Sequence, residues 1–131
     1  MIVLDASAVV ELLLNTDRGA LVAERVRPSD VTLHAPHLLS LEVVQVLRRL
    51  TGSATISARR GRTALDDLSD LGVEYYDHDI LLTRIWQLRS NLTAYDAAYV
   101  ALAEVLHAPL VTFDAHLANA PGNRATVELL A

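Results

Sequence analysis

The chain has 131 residues, a net charge of -5 at pH 7 and no cysteine, which excludes a disulfide scaffold, a thiolate zinc site and a cysteine nucleophile. All 11 basic residues are arginine, so chemistry that needs a lysine is excluded as well. The length predicts one domain, residues 1–131, with room for a substantial core. The apolar opening Met1–Leu14 is interrupted by Asp5 and Glu11, and no basic residue precedes it, so it does not read as a secretory signal. No apolar run approaches a membrane span. A soluble, cytoplasmic protein is expected.

Ile2–Asp5 reads as a short buried strand. Ser7 is placed to cap a helix over Ala8–Leu14. Asn15–Gly19 reads as a loop and Ala20–Arg27 as a helix that Pro28 and Asp30 end. Thr32–Ala35 is expected to be extended, because Pro36 biases Ala35 away from helix. His37–Leu50 is a strong helix, with apolar residues at 39, 43, 46, 47 and 50 and Gly52 as its stop. Ser57–Leu71 is a second long helix, closed by Gly72. A strand over Val73–Tyr76 and a helix over Ile80–Ser90 follow. Thr93–His107 is apolar on nearly all sides and is predicted to be a central helix. Leu110–Phe113 is a strand, Ala115–Ala118 a helical turn, Pro121-Gly122 a turn, and Ala125–Leu130 the last strand. Strands alternating with helices predict an α/β fold with a parallel sheet.

Four carboxylates stand at the head or on the face of these helices: Asp5, Glu42, Asp96 and Asp114. Asp5 and Asp114 end strands, where open parallel sheets gather ligands. Acids collected there repel one another, which favours a hard divalent cation. Each also has a plainer reading. Asp5 and Asp114 are good helix caps. Asp96 lies in Thr93-Ala-Tyr-Asp, a capping-box pattern with an acid one carbon short. Glu42 aligns with Gln45 and Arg49 on what could be a solvated helix face. The sequence alone does not bring Glu42 to the rim that the other three share.

The chain resembles the PIN-domain ribonucleases, and within them the VapC-like toxins of toxin–antitoxin pairs. The likeness is carried by four stretches in order: Met-Ile-Val-Leu-Asp-Ala-Ser-Ala at the start, Leu41-Glu-Val-Val-Gln-Val-Leu-Arg-Arg, Leu92-Thr-Ala-Tyr-Asp-Ala-Ala-Tyr-Val-Ala-Leu-Ala-Glu, and Pro109-Leu-Val-Thr-Phe-Asp. It implies a three-layer α/β/α fold around a central, mostly parallel sheet. It implies a metal site of Asp5, Asp96 and Asp114, with Glu42 as a fourth catalytic acid and Ser7 and Thr112 as supporting hydroxyls. Gln45 departs from the family pattern, which often has Asn or a small residue there. Mg²⁺ or Mn²⁺, an RNA substrate, a VapB-like antitoxin and a homodimer contact are implied too. The expected function is a metal-dependent endoribonuclease; the alternative is a catalytically silent PIN-like module that binds RNA or protein.

Arg48, Arg49, Arg59, Arg60 and Arg62 lie in a stretch without acids. They either contact RNA phosphates or form a solvated helix surface. The five histidines show no zinc pattern. Tyr75, Tyr76, Tyr95 and Tyr99 suit core packing better than base stacking, with Tyr95, beside Asp96, the best candidate to touch substrate. Asp77 and Asp79 flank His78 and read as a solvated loop with a cap. Leu12, Leu13 and Leu14 in succession predict at least one exposed apolar side chain. A phosphate-binding loop with Gly-Lys-Ser/Thr is absent, and Asp-Ala-Ser replaces the glycine-rich turn of dinucleotide binders.

Overall fold

A computed structural model describes residues 1–131. Five short strands form one sheet: β1 (Ile2–Leu4), β2 (Leu33–Pro36), β3 (Glu74–Tyr76), β4 (Leu110–Thr112) and β5 (Val127–Leu129). Their order is β3-β2-β1-β4-β5, and every neighbouring pair is parallel. The sheet is therefore wholly parallel rather than mostly so. β1 is the central strand, and all three of its residues are buried, as a strand covered on both faces must be.

Seven helices surround it: α1 (Ala6–Leu13), α2 (Asp17–Val26), α3 (Leu38–Gly52), α4 (Ala58–Asp70), α5 (Leu82–Gln87), α6 (Ala94–Leu106) and α7 (Ala115–Asn119). α6 packs across β1, β2 and β4, while α1 packs with α2, α3 and α4 as the other helical layer. The expected three-layer fold is thus observed. As expected for a central helix, α6 is buried from Ala97 to Ala103; its small residues let it lie close on the strands.

Three local expectations change. α1 is capped by Asp5, whose side chain accepts the Ala8 amide, and Ser7 lies inside the helix. The expected loop at 15–19 is already helix from Asp17, because Thr16 accepts the Gly19 amide and caps α2. Gly19 is a contact residue rather than a loop residue: a Cβ there would sit 2.1 Å from the Glu11 carbonyl oxygen, so α1 and α2 cross backbone against backbone. Of the leucine triplet, Leu13 is buried and Leu12 and Leu14 are half-buried. The core and the neighbouring helices cover them, so none is exposed.

The connections explain where a site can form. From β1 the chain moves outward to β2 and β3, then returns past β1 to β4 and β5. The order reverses between β1 and β4, and the crevice beyond the carboxyl ends of two such strands is the general ligand position of open parallel sheets. Asp5 directly follows β1, and Asp114 follows β4 by two residues.

Candidate metal centre

Asp5 is held most firmly. It is 5% exposed. Its Oδ1 accepts from the Ser7 hydroxyl at 2.7 Å and from the Ala8 amide at 3.0 Å, and its Oδ2 accepts from the Thr112 hydroxyl at 2.5 Å. Ser7 Oγ also accepts the Phe113 amide at 3.2 Å, and Thr112 Oγ1 accepts the Asp114 amide at 2.9 Å. The two hydroxyls therefore tie β1 to the β4 end and fix the separation of Asp5 from Asp114. The resemblance names these two hydroxyls as supporting residues, and both bond to Asp5.

Asp114 caps α7, its Oδ1 accepting the His116 amide at 2.9 Å. Asp96 lies in the first turn of α6, with its amide donated to Thr93 Oγ1 at 3.2 Å. The Thr93 side chain also holds the Asp96 carboxyl, which works against its upward shift. Glu42 projects from α3, and its Oε1 accepts the Tyr99 hydroxyl at 2.5 Å. That bond brings Glu42 to the side chain one turn along α6 from Asp96, and the charges of Asp96 and Asp5 both act on it.

The plainer readings of Asp5 and Asp114 as caps are correct, and they do not displace the cluster. The four carboxyls feel one another. Burial pushes Asp5 upward, and Asp114 adds to this against the hydrogen bonds from Thr112, Ser7 and Ala8. Burial also raises Glu42, with the charges of Asp96 and Asp5 adding and the Tyr99 bond opposing. Asp96 is raised by burial and then by Asp114, and His116 offsets part of this. None of the four has an arginine or histidine ion pair. A half-buried group of acids without a basic partner is electrostatically unfinished.

No three acidic or histidine side chains converge closely enough to enclose an ion by themselves. The hydrogen bonds to Asp5, Glu42 and Asp114 hold the carboxyls apart. Such an open, all-oxygen set fits Mg²⁺ or Mn²⁺ bound through one or two carboxylates with water filling the rest. It does not fit a closed zinc cage.

Two neighbours of the acids escape a sequence reading. Tyr99, 1% exposed, is a core residue as expected, but its hydroxyl also orients Glu42. The signal was its i+3 spacing from Asp96, which puts both on one helix face. His116 stands near enough to Asp96 to act on it. Its only cue is the cap position at Asp114.

The arginine stretch is not gathered at the acids. Arg49 follows Glu42 by seven residues, roughly 10 Å along α3. Arg60 is partly buried and donates to the Leu13 carbonyl at 2.7 Å, joining α4 to α1. Arg62 pairs with Asp66 at 3.1 Å. Arg48, Arg49 and Arg59 are exposed. No arginine contributes to the electrostatics of Asp5, Glu42 or Asp96. Asp77 accepts the Asp79 amide at 3.0 Å, which is the expected capped loop, and Tyr95 is 65% exposed beside Asp96. No helix is long and apolar enough to cross a membrane.

A parallel sheet with paired carboxylates at its β1/β4 switch point defines a class of acid-site α/β protein. A PIN-domain family model matches residues 2–123. The chain is 44% identical over 131 residues to "Ribonuclease VapC12" of Mycobacterium tuberculosis, covering 100% of both. It is 46% identical over 121 residues to "VapC ribonuclease Mb0985" of Mycobacterium bovis, covering 91% of this chain and 90% of that one. Its fold matches the crystal structure of VapBC2 from Rickettsia felis bound to a promoter DNA fragment, with a TM-score of 0.73 at 16% identity and full coverage of both chains. The protein belongs to the PIN-domain family, in its VapC-like branch.

Proposed function

We propose that this protein is a Mg²⁺- or Mn²⁺-dependent endoribonuclease and the toxin of a toxin–antitoxin pair. The observation that carries the reading is the arrangement of Asp5, Glu42, Asp96 and Asp114 from four separate elements around the carboxyl ends of β1 and β4, with no ion pair to an arginine or histidine. The ribonuclease names of relatives at 44% and 46% identity support RNA as the substrate, and the VapBC2 assembly supports a VapB-like antitoxin as the partner.

In this reading Asp5 and Asp96 bind the ion directly, and Asp114 binds it directly or holds one of its waters. The ion supplies Lewis acidity to a phosphate oxygen and makes a water more acidic. Glu42 orients the attacking water and takes its proton, as a positioned carboxylate can. The water oxygen bonds to phosphorus as the bond to the leaving sugar oxygen breaks. Tyr99 holds Glu42 in place, and Ser7 and Thr112 hold Asp5.

The test is cleavage of single-stranded RNA by the antitoxin-free protein with Mg²⁺ or Mn²⁺, against EDTA and against Asp5→Asn. Asn is as good a helix cap as Asp, so the variant keeps α1. Metal-dependent cutting that Asp5→Asn loses is the expected result. RNA bound but uncut under every metal condition would make the protein a binding module instead.

A further inference from the structure

We infer that Arg18 forms a phosphate subsite beside the acid cluster, for the phosphate next to the scissile one on the RNA strand. This rests on the nuclease reading above. Arg18 lies in the first turn of α2, and its guanidinium carbon stands 4.1 Å from the centre of the Phe113 ring. Phe113 separates Thr112 from Asp114, and its amide donates to Ser7 Oγ, which in turn donates to Asp5. Arg18 is thus stacked on a residue whose backbone is part of the candidate centre.

The stack fixes the guanidinium plane, and N–H donors along its edge remain available. A planar, pre-oriented guanidinium is the side chain best matched to a phosphate. Most other arginines are committed. Arg25 holds Glu128 through two bonds, Arg27 holds Glu24, Arg84 holds Glu104, and Arg60 holds the Leu13 carbonyl. The one ion-pair contact of Arg18 is to Glu11 at 3.8 Å, with half of its side chain exposed. At 3.8 Å this contact is longer than a hydrogen bond, so it is exchangeable. No ion pair joins Arg18 to any of the four acids, so it stands beside the cluster without neutralising it, a position that suits a neighbouring phosphate rather than the one under attack. The arginine stretch at 48–62 shows no such link to the acids.

The experiment measures binding of a fluorescein-labelled single-stranded RNA to the Asp5→Asn protein in Mg²⁺ across a KCl series. Added to that background, Arg18→Gln is expected to reduce the slope of log affinity against log salt by about 0.7, the value for one lost single-strand phosphate contact. Affinity at low salt should fall up to about fivefold, as for a solvent-exposed charge pair. Arg27→Gln removes an equal charge from the residue that ends the same helix and should leave the slope unchanged. Phe113→Leu keeps the charge and loses the stack, and should weaken binding with the slope retained. RNA binding whose slope is the same in Arg18→Gln, or falls equally in Arg27→Gln, overturns the subsite while leaving the nuclease reading intact. No RNA binding by the parent, together with no metal-dependent cleavage by the Asp5-containing protein, overturns both.

Discussion

Tyr99 places a single hydroxyl between two layers of chemistry. Its ring is packed in the core under α6, and its hydroxyl donates to Glu42 on α3. Burial first, then the Glu42 bond and charge, push its own ionisation far above the ordinary tyrosine range, so it acts only as a neutral donor. Tyr99→Phe keeps the ring and frees Glu42 to rotate. Because Glu42 is only half-buried, water replaces the lost partner, and the stability cost should stay near about 1 kcal/mol. The catalytic cost should be larger: kcat for RNA cleavage falls about 10- to 100-fold with KM nearly unchanged, the usual penalty for a misplaced reacting group. Steady-state kinetics reads this directly, and an unchanged kcat would leave Tyr99 as packing alone. Asp5, Asp96 and Asp114 were legible in the sequence because strand ends and helix heads are local features, whereas Glu42, inside α3, was placed with them only by the family resemblance. The Tyr99–Glu42 pair was not, since it depends on tertiary packing that brings together two side chains 57 residues apart in sequence.

At the scale of elements, one ion pair fastens the end of the chain that carries α5, α6 and the turn before β5. Arg84 donates two bonds to Glu104, at 2.7 and 3.0 Å, and a third to the Gly122 carbonyl. Glu104 also accepts the Arg124 amide. Burial pushes the Glu104 carboxyl upward, but the bonds from Arg84 and Arg124 and their charges bring it below the ordinary range. A depressed carboxyl stabilises the fold above its unfolded pKa of about 4.3 and loses that contribution as pH falls through the lower folded value. Side-chain exposures of 21% and 14% make screening modest here. Glu104→Gln should therefore cost about 1–3 kcal/mol at pH 7, and the gap from the parent should narrow as pH falls below the ordinary carboxylate range. Thermal unfolding at neutral pH and below that range tests it; a gap that does not narrow would contradict the assignment. Element existence was largely readable from hydrophobic period, since strands and helices alternate along the whole chain. The starts of α1 and α2 were not, because two caps competed at Asp5 and Ser7. The glycine that looked like a loop at position 19 is demanded by a crossing helix.

For the whole molecule, the acid cluster and the ion pairs oppose one another. Asp5, Glu42 and Asp96 are raised by burial and by their neighbours, so the folded chain binds more protons than the unfolded chain. Without a cation, this cluster costs stability increasingly as pH rises through and beyond the ordinary carboxylate range, the reverse of Glu104. On the proposed function, a divalent ion would remove that cost by binding the folded state alone. Asp114→Asn separates the two effects. It retains the α7 cap, since Asn accepts an amide as well as Asp does, and removes a charge that raises both Asp5 and Asp96. In EDTA at pH 7 the variant should be more stable than the parent by about 0.5–1 kcal/mol, a typical figure for one like-charge contact near a surface. With Mn²⁺ at about 100 times its dissociation constant the parent should gain about 2.7 kcal/mol and the variant distinctly less, so the order of the two melting temperatures should reverse. Melting both proteins with and without Mn²⁺ decides it. A parent that Mn²⁺ leaves unchanged would mean that the acids repel without serving an ion, and the metal-dependent reading of the site would fall with that result.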